Sequence, residues 1–302
     1  MPLALPPLRH PVHRLGAREI DFSRAVAVMA VVNRTPDSFF DQGRTFALDS
    51  AVESALTADR DGADWVDVGG VPFAPGPPLP WQEEADRVVP VVRGIRDAGS
   101  DVVISVDTFD ARVAEAALTA GADVINDTTC LSDPDLASVV AEAGAHLVVT
   151  HSLAAPRTVY PRPHYNDVTA EVIQRLWQAV TKAVDGGVPE SHLFVDPGHD
   201  LNKNTEDTLR ITRELSEVAA MGFPTLAAVS NKDFIGETLD LPKQDRAAGS
   251  IAAAVYCLHE GARVIRMHNV TQSVHAARMF EAMAGWRRPA YTRHNMGEIN
   301  LP

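Results

Sequence analysis

Polar residues close a series of short apolar runs in this chain. In order they are Asn33, Asp67, Asp107, Asn126 with Asp127, His151, Asp196, Ser230 with Lys232, and Arg266 with His268. Singly each has a bland explanation, since Asp and Asn favour turns and helix N-caps and a basic residue at a strand end is often solvated. Together they fall into two chemical groups. Asp67, Asp107, Asn126 and Asp196 offer carboxylates and an amide, which suit a flat ligand edge rich in N–H donors, as a guanidine-like heterocycle presents. Lys232, Arg266, His268 and Asn33 suit phosphate oxygens, Arg as a bidentate partner and Lys as a point charge. The implied ligand is a heterocycle joined to a phosphate. Asn33, with phosphate oxygens and water, could also hold Mg2+, whereas no pair of histidines has zinc spacing. His164, His199 and the other scattered histidines read as surface or loop residues.

For these residues to act together, one architecture must bring them to one place. The runs AVAVMAVVN, WVDVGG, VVISVDT, VINDTT, HLVVTHS, LFVDPG, PTLAAVS and RVIRMHN are each followed by a longer segment of helical period. Eight such units between residues 25 and 284 predict a single-domain α/β fold, a (β/α)8 TIM barrel, whose active site lies at the C-terminal ends of its strands. The competing fold, a doubly wound open sheet, would usually carry a Gly-rich fingerprint after its first strand, and none is present. Residues 1–24 are expected to form an N-terminal extension and residues 285–302 a C-terminal tail.

Composition narrows the function. The chain has 302 residues, 45% of them hydrophobic, and a formal net charge of −13. That charge argues against nucleic acid and anionic membranes as partners, so an anionic ligand must find a local basic pocket. No apolar stretch approaches the roughly 18 residues of a membrane span, and the N-terminal segment lacks the pattern of a secretory signal, so the expected location is the cytoplasm. Cys130 and Cys257 are the only cysteines and are expected to be reduced core thiols.

The segments NRTPDSF (33–39), SVDT (105–108), GADVINDTT (121–129), VDPG (195–198), SNK (230–232) and RMHN (266–269) resemble, in order and in strand position, the signatures of the dihydropteroate synthase family. The resemblance spans almost the whole barrel. It implies a pterin-binding barrel whose family condenses 6-hydroxymethyl-7,8-dihydropterin pyrophosphate with p-aminobenzoate. On that likeness Asp67, Asp107, Asn126, Asp196 and Lys232 form the pterin site, Arg266 and His268 bind pyrophosphate, and Asn33 lies beside Mg2+. Pyrophosphate leaves a methylene whose charge the pterin ring delocalises. Catalysis is then mainly stabilisation of the departing anion and positioning of the amine, without a general base.

The departures from the family pattern cluster on the second substrate. After Gly69 and Gly70 the family continues Glu-Ser-Thr-Arg-Pro-Gly, whereas this chain reads Val71 to Gly76, with Phe73 and Ala74 in place of the Thr and Arg. Asn231 replaces an Arg that flanks the aminobenzoate site, and Asp200 and Leu201 stand where a Gly-Phe walls it. Arg34 and Asn269 are further departures. The pattern resembles the divergent second synthase paralogue of some actinobacteria and implies impaired or absent dihydropteroate synthesis. An ordinary folate-pathway synthase and a pterin-dependent methyltransferase stay open as alternatives. The phosphate-type residues argue against the methyltransferase, whose methyl donor carries no pyrophosphate. The family resemblance also implies a homodimer through the last helix, where Val274, Ala277, Met279, Phe280 and Met283 supply apolar surface.

Overall fold

The structure is a computed structural model and describes residues 3, 5–33, 44–72, 75–160 and 162–295. A short antiparallel hairpin, β1 (Val12–Leu15) and β2 (Arg18–Asp21), comes first. Eight parallel strands then close a barrel: β3 (Ala27–Asn33), β4 (Trp65–Gly69), β5 (Val103–Asp107), β6 (Val124–Asp127), β7 (His146–Thr150), β8 (Leu193–Asp196), β9 (Thr225–Ala227) and β10 (Ala262–Met267). Closure is the pairing of β10 with β3, Val264 opposite Ala27 and Arg266 opposite Met29. Outside run α1 (Arg44–Arg60), α2 (Trp81–Asp97), α3 (Ala111–Thr119), α4 (Leu136–Glu142), α5 (Val168–Asp185), α6 (Thr205–Arg213), α7 (Leu215–Ala219), α8 (Asp233–Leu239), α9 (Ala247–His259) and α10 (Val270–Met283). The expected TIM barrel is the fold observed.

The two-residue period of a strand sorts the barrel into layers. Val28, Val66, Ile104, Ile125, Leu147, Val195 and Ile265 point outward to the helices. The alternate set, including Trp65, Val103, Val124, Val148, Phe194 and Val264, packs inside. One step further along, the inward positions turn polar: Asp67, Ser105 and Asp107, Asn126, Asp196, Arg266. The mouth is therefore built by the same alternation that fills the interior.

Residues 1–24 are more than an extension. Leu15 and Phe22 are completely buried in the interior cluster, edge-on contacts joining Phe22 to His13 and Phe194. Each such side chain stabilises by about 1.5–3 kcal/mol, so the hairpin is a plug closing the lower end. Arg263 of β10 donates from Nε to the Phe22 carbonyl at 2.7 Å, and Val26 N–H donates to the Glu281 carboxylate at 3.0 Å. Cys257 is buried as expected, but Cys130 is only half-buried in the loop after β6.

Candidate active site

The strand ends converge on a cavity of about 590 Å3 at the C-terminal mouth. A second depression of about 720 Å3, with Asp49, Glu53 and Asp61 on its walls, opens on the barrel flank and shares only Val31 and His268 with the first. The mouth is the site because the strand-end residues meet there.

The floor is a charged knot. Asp67 is fully buried. One of its oxygens accepts from Ser105 Oγ, and the other accepts from Arg266 Nε at 2.7 Å and Asn126 Nδ2 at 3.3 Å. Asp67 thus lies beneath the cavity as a brace for Arg266 and Asn126. Arg266 leans its Nη2 towards Asp107, 3.6 Å away, and both Arg266 and Asp107 line the cavity. Burial pushes the Asp107 carboxyl up to about 7, and the negative charge of Asp67 adds to that against Arg266. Its side chain is still 27% exposed, so solvent moderates the effect. Asn126 has a buried Oδ1 with no partner among the described residues, an acceptor suited to a ligand N–H.

Asp196 closes β8. Its Oδ1 accepts from the Gly198 N–H at 2.7 Å, and burial lifts its carboxyl to about 6 against that bond and the charges of Lys232 and Lys203. Gly198 has φ +68, and a Cβ there would lie 2.0 Å from the His151 carbonyl oxygen, so only glycine permits this turn. Lys203 follows, its Nζ donating to the Gly198 and Leu201 carbonyls at 2.9 and 3.2 Å and meeting His151 Nδ1 at 2.9 Å. It ties the loops after β7 and β8 together, and burial lowers its pKa to about 7. His151 therefore serves this tie, and Asp127, which accepts from Thr129 and Leu131 N–H groups, serves its own loop.

Lys232, whose ammonium is held below its usual range by burial, precedes α8 and lines the cavity beside Asn231. Asn231 sits at φ +57, a conformation Asn tolerates better than most residues, with its N–H donating to Ser250 Oγ at 2.9 Å. His268 is exposed on the rim; its N–H donates to Ser230 Oγ at 3.1 Å, and its ring Nδ1 lies 3.0 Å from the same oxygen. Leu201 is on the cavity wall, and Asp200 accepts from the Asp233 and Phe234 N–H groups at the start of α8. Asn33 lines the cavity from β3. Among the described residues no three His, Cys, Asp or Glu side chains surround a metal position. A Mg2+ here would take one amide oxygen from Asn33 and the rest from phosphate and water, a donor set that Mg2+ accepts.

Arg34, Phe73 and Ala74 lie outside the described residues. His164 is exposed, but His199 is fully buried and stacked on Phe234, because its loop folds back under the mouth. Four residues escaped the sequence reading: Ser105, Glu84, Lys203 and Lys243. Ser105 was findable, two residues before Asp107 on the same face. Glu84 resembles an ordinary acid in a helix first turn, and nothing local marks Lys203 or Lys243.

With this geometry in view, the comparisons with known proteins become decisive. The family model described as pterin binding enzyme matches residues 29–268. The chain is 42% identical over 270 residues to the inactive dihydropteroate synthase 2 of Mycobacterium leprae, covering 88% of this chain and 93% of that protein. The chain belongs to the dihydropteroate synthase family. It is also 37% identical to the dihydropteroate synthase of Bacillus subtilis, covering 87% of this chain and 90% of that one. The solved structure of the Xanthomonas albilineans dihydropteroate synthase with 4-aminobenzoic acid superposes with a TM-score of 0.84 at 34% identity, covering 91% and 98% of the two chains. The (β/α)8 barrel of the dihydropteroate synthases is therefore the fold of this chain.

Proposed function

We propose that this family member binds a pterin carrying pyrophosphate and has lost, or performs only weakly, the condensation with 4-aminobenzoate. One observation carries the reading: among the described residues, every cation lining the mouth comes from β10, the turn after β9 or the segment after α8 (Arg266, Lys232, Lys243), with the ring of His268 beside them held neutral by desolvation, and none from the β4 side. The pyrophosphate half is furnished and the half beneath the altered loop is not. Asp107, Asn126, Asp196 and Lys232 would hold the heterocycle edge, with Asp67 bracing Asn126 from below. Arg266 and His268 would receive the pyrophosphate. Mg2+ beside Asn33 would neutralise charge on the departing phosphates when bound.

The chemistry explains why the altered half matters. The nucleophile is an uncharged amine that gains its rate from being held over the methylene, and a loosely seated amine forfeits that positioning. Phe73, Ala74 and Asn231 replace a Thr and two Arg of the family pattern, and a charged hydrogen bond contributes about 1.5–3 kcal/mol. The name of the M. leprae relative, inactive dihydropteroate synthase 2, supports the same reading. Likeness to the B. subtilis synthase supports the alternative, a working folate enzyme with an unusual loop. The protein works in the cytoplasm as a homodimer through α10, where Met279 and Met283 are 59% and 65% exposed while Ala277 and Phe280 are buried in the fold. Among the described residues no helix is long and apolar enough to cross a membrane.

The test supplies purified protein with the pterin pyrophosphate, 4-aminobenzoate and Mg2+. Calorimetry should report pterin binding while chromatography finds little or no dihydropteroate. Rescue of a synthase-deficient strain as efficient as that by an ordinary family member would overturn the loss of activity and leave the alternative standing.

A further inference from the structure

The mouth has two unlike sectors, and strand order decides which residues fall in each. Going round the barrel, β9 and β10 are adjacent, and they carry the cations of the cavity wall. The arc from β4 to β8 contributes an apolar wall of Val71, Pro72, Pro75, Phe109, Pro156 and Leu201, interrupted by the acids Asp107 and Asp200 and the hydroxyls of Thr108 and Thr128. Set in that wall is Glu84, from the first turn of α2. It is 3% exposed, and its Oε1 has no partner among the described residues. A buried carboxyl oxygen without a donor is costly unless something supplies one.

Neither Arg87 nor Arg157 lines the cavity. Arg87 donates to the Gly70 carbonyl at 2.8 Å and to Glu83 at 2.6 Å. Arg157, from the loop after β7, donates from Nε to the Pro77 carbonyl at 3.2 Å, and its own carbonyl accepts from Gly76 N–H at 3.1 Å. A Cβ on Gly76 would lie 1.9 Å from the Arg157 Nη2, so the glycine makes room for this latch between the two loops. Pro75 and Pro156, next in sequence to the latch, line the cavity.

We propose that the β4–β8 arc takes, as second ligand beside the pterin, a flat apolar molecule ending in an amine or amidine that donates to Glu84, in place of the carboxylate of 4-aminobenzoate. This rests on the pterin reading of the opposite sector. A carboxylate placed on this arc would meet acids, an apolar wall and, among the described residues, no lining cation. A donor group would satisfy the vacant Oε1. Burial lifts Glu84 to about 7, so at neutral pH a cation beside it would draw the group to its ionised form.

The experiment uses the full chain and calorimetry. The protein is first titrated with 6-hydroxymethylpterin and inorganic pyrophosphate with Mg2+, which tests the pterin reading by itself. The loaded protein is then titrated with 4-aminobenzoate, 4-aminobenzamide and 4-aminobenzamidine, three rings of near-equal size and different charge. The expected order is amidine tightest and carboxylate weakest, with at least a tenfold span. Glu84→Gln should shrink that span below threefold and leave pterin binding unchanged. Carboxylate binding as tight as amidine, no binding by any of the three, or an undiminished span in a folded Glu84→Gln protein would each overturn the proposal. If Glu84→Gln does not fold, the wild-type ranking alone decides. Failure of pterin to bind, with the amidine preference intact, would sink the pterin reading and spare the assignment of the arc.

Discussion

The two ends of the barrel are made from the same strands and the same alternation, yet they do opposite things with buried polarity. At the lower end the inward side chains are aromatic and aliphatic, closed by the hairpin, and the polar groups among them include imidazole rings, of which burial keeps His13 and His146 neutral. His13 and His146 lie 5.6 Å apart between ring centroids, and His192 stacks on His146 at 4.1 Å. At the upper end the inward positions are carboxylates, an amide and a guanidinium, kept charged or half-charged by one another. Burial there costs stability and yields a set of acceptors ready for a ligand. The lower end carries the fold and the upper end carries the chemistry, as is general for this architecture.

The comparison can be broken most directly at the lower end. Trp65→Ala removes the largest fully buried side chain and should cost about 3–5 kcal/mol in denaturant unfolding, with pterin affinity per folded molecule unchanged. A selective loss of affinity would mean the two ends are coupled. The pH dependence comes next. Burial lowers His13 to about 4 and His146 to about 3, whereas each titrates near 6.5 when unfolded. Between those values the unfolded chain binds protons that the folded one does not, so these rings make stability fall as pH drops from about 6.5 towards 4. The mouth acts with the opposite sign. Asp107 and Asp196 are raised to about 7 and about 6, so their contribution is complete below the unfolded carboxylate range and is lost as pH rises through 6 to 7. His13→Phe should therefore remove on the order of 2–3 kcal/mol of acid destabilisation between pH 7 and 4, read from urea midpoints across that range. An unaltered slope would show that the lower ring is not proton-sensitive. The smallest effect is Asp196→Ala, expected to weaken pterin binding by about 1.5–3 kcal/mol while leaving the unfolding midpoint nearly unmoved. A large fall in stability with intact affinity would reverse the assignment of roles.

Strand count, barrel closure and the convergence of Asp107, Asn126, Asp196, Lys232, Arg266 and His268 were legible because strand period and strand end are local signals that the fold preserves. What was hidden depended on direction and distance. Asp127 follows Asn126 by one residue and so points the other way, outward, where it organises its own loop. Asp67 looked like a ligand-facing acid, but it sits one inward layer lower than Asp107, and Ser105, Asn126 and Arg266 occupy its oxygens. Glu84 and Lys243 reach the mouth from outside the strands, on a helix and a distant loop, and no periodicity reports on that. The hairpin role of the first residues was invisible because VHRL and REID carry little apolar pattern, and only the docking of Leu15 and Phe22 reveals it.

That hairpin has a consequence for how the chain is made. Its binding surface is assembled from Trp65, from Phe194 and from Arg263 on β10, so a segment synthesised before every barrel strand has nowhere complete to dock until β10 has emerged. Throughout elongation the nascent protein carries an open apolar barrel end and, separately, the two side chains meant to seal it. Sealing is thus a long-range event postponed until β10 has been made, and until then the unfinished chain displays the kind of surface that chaperones hold.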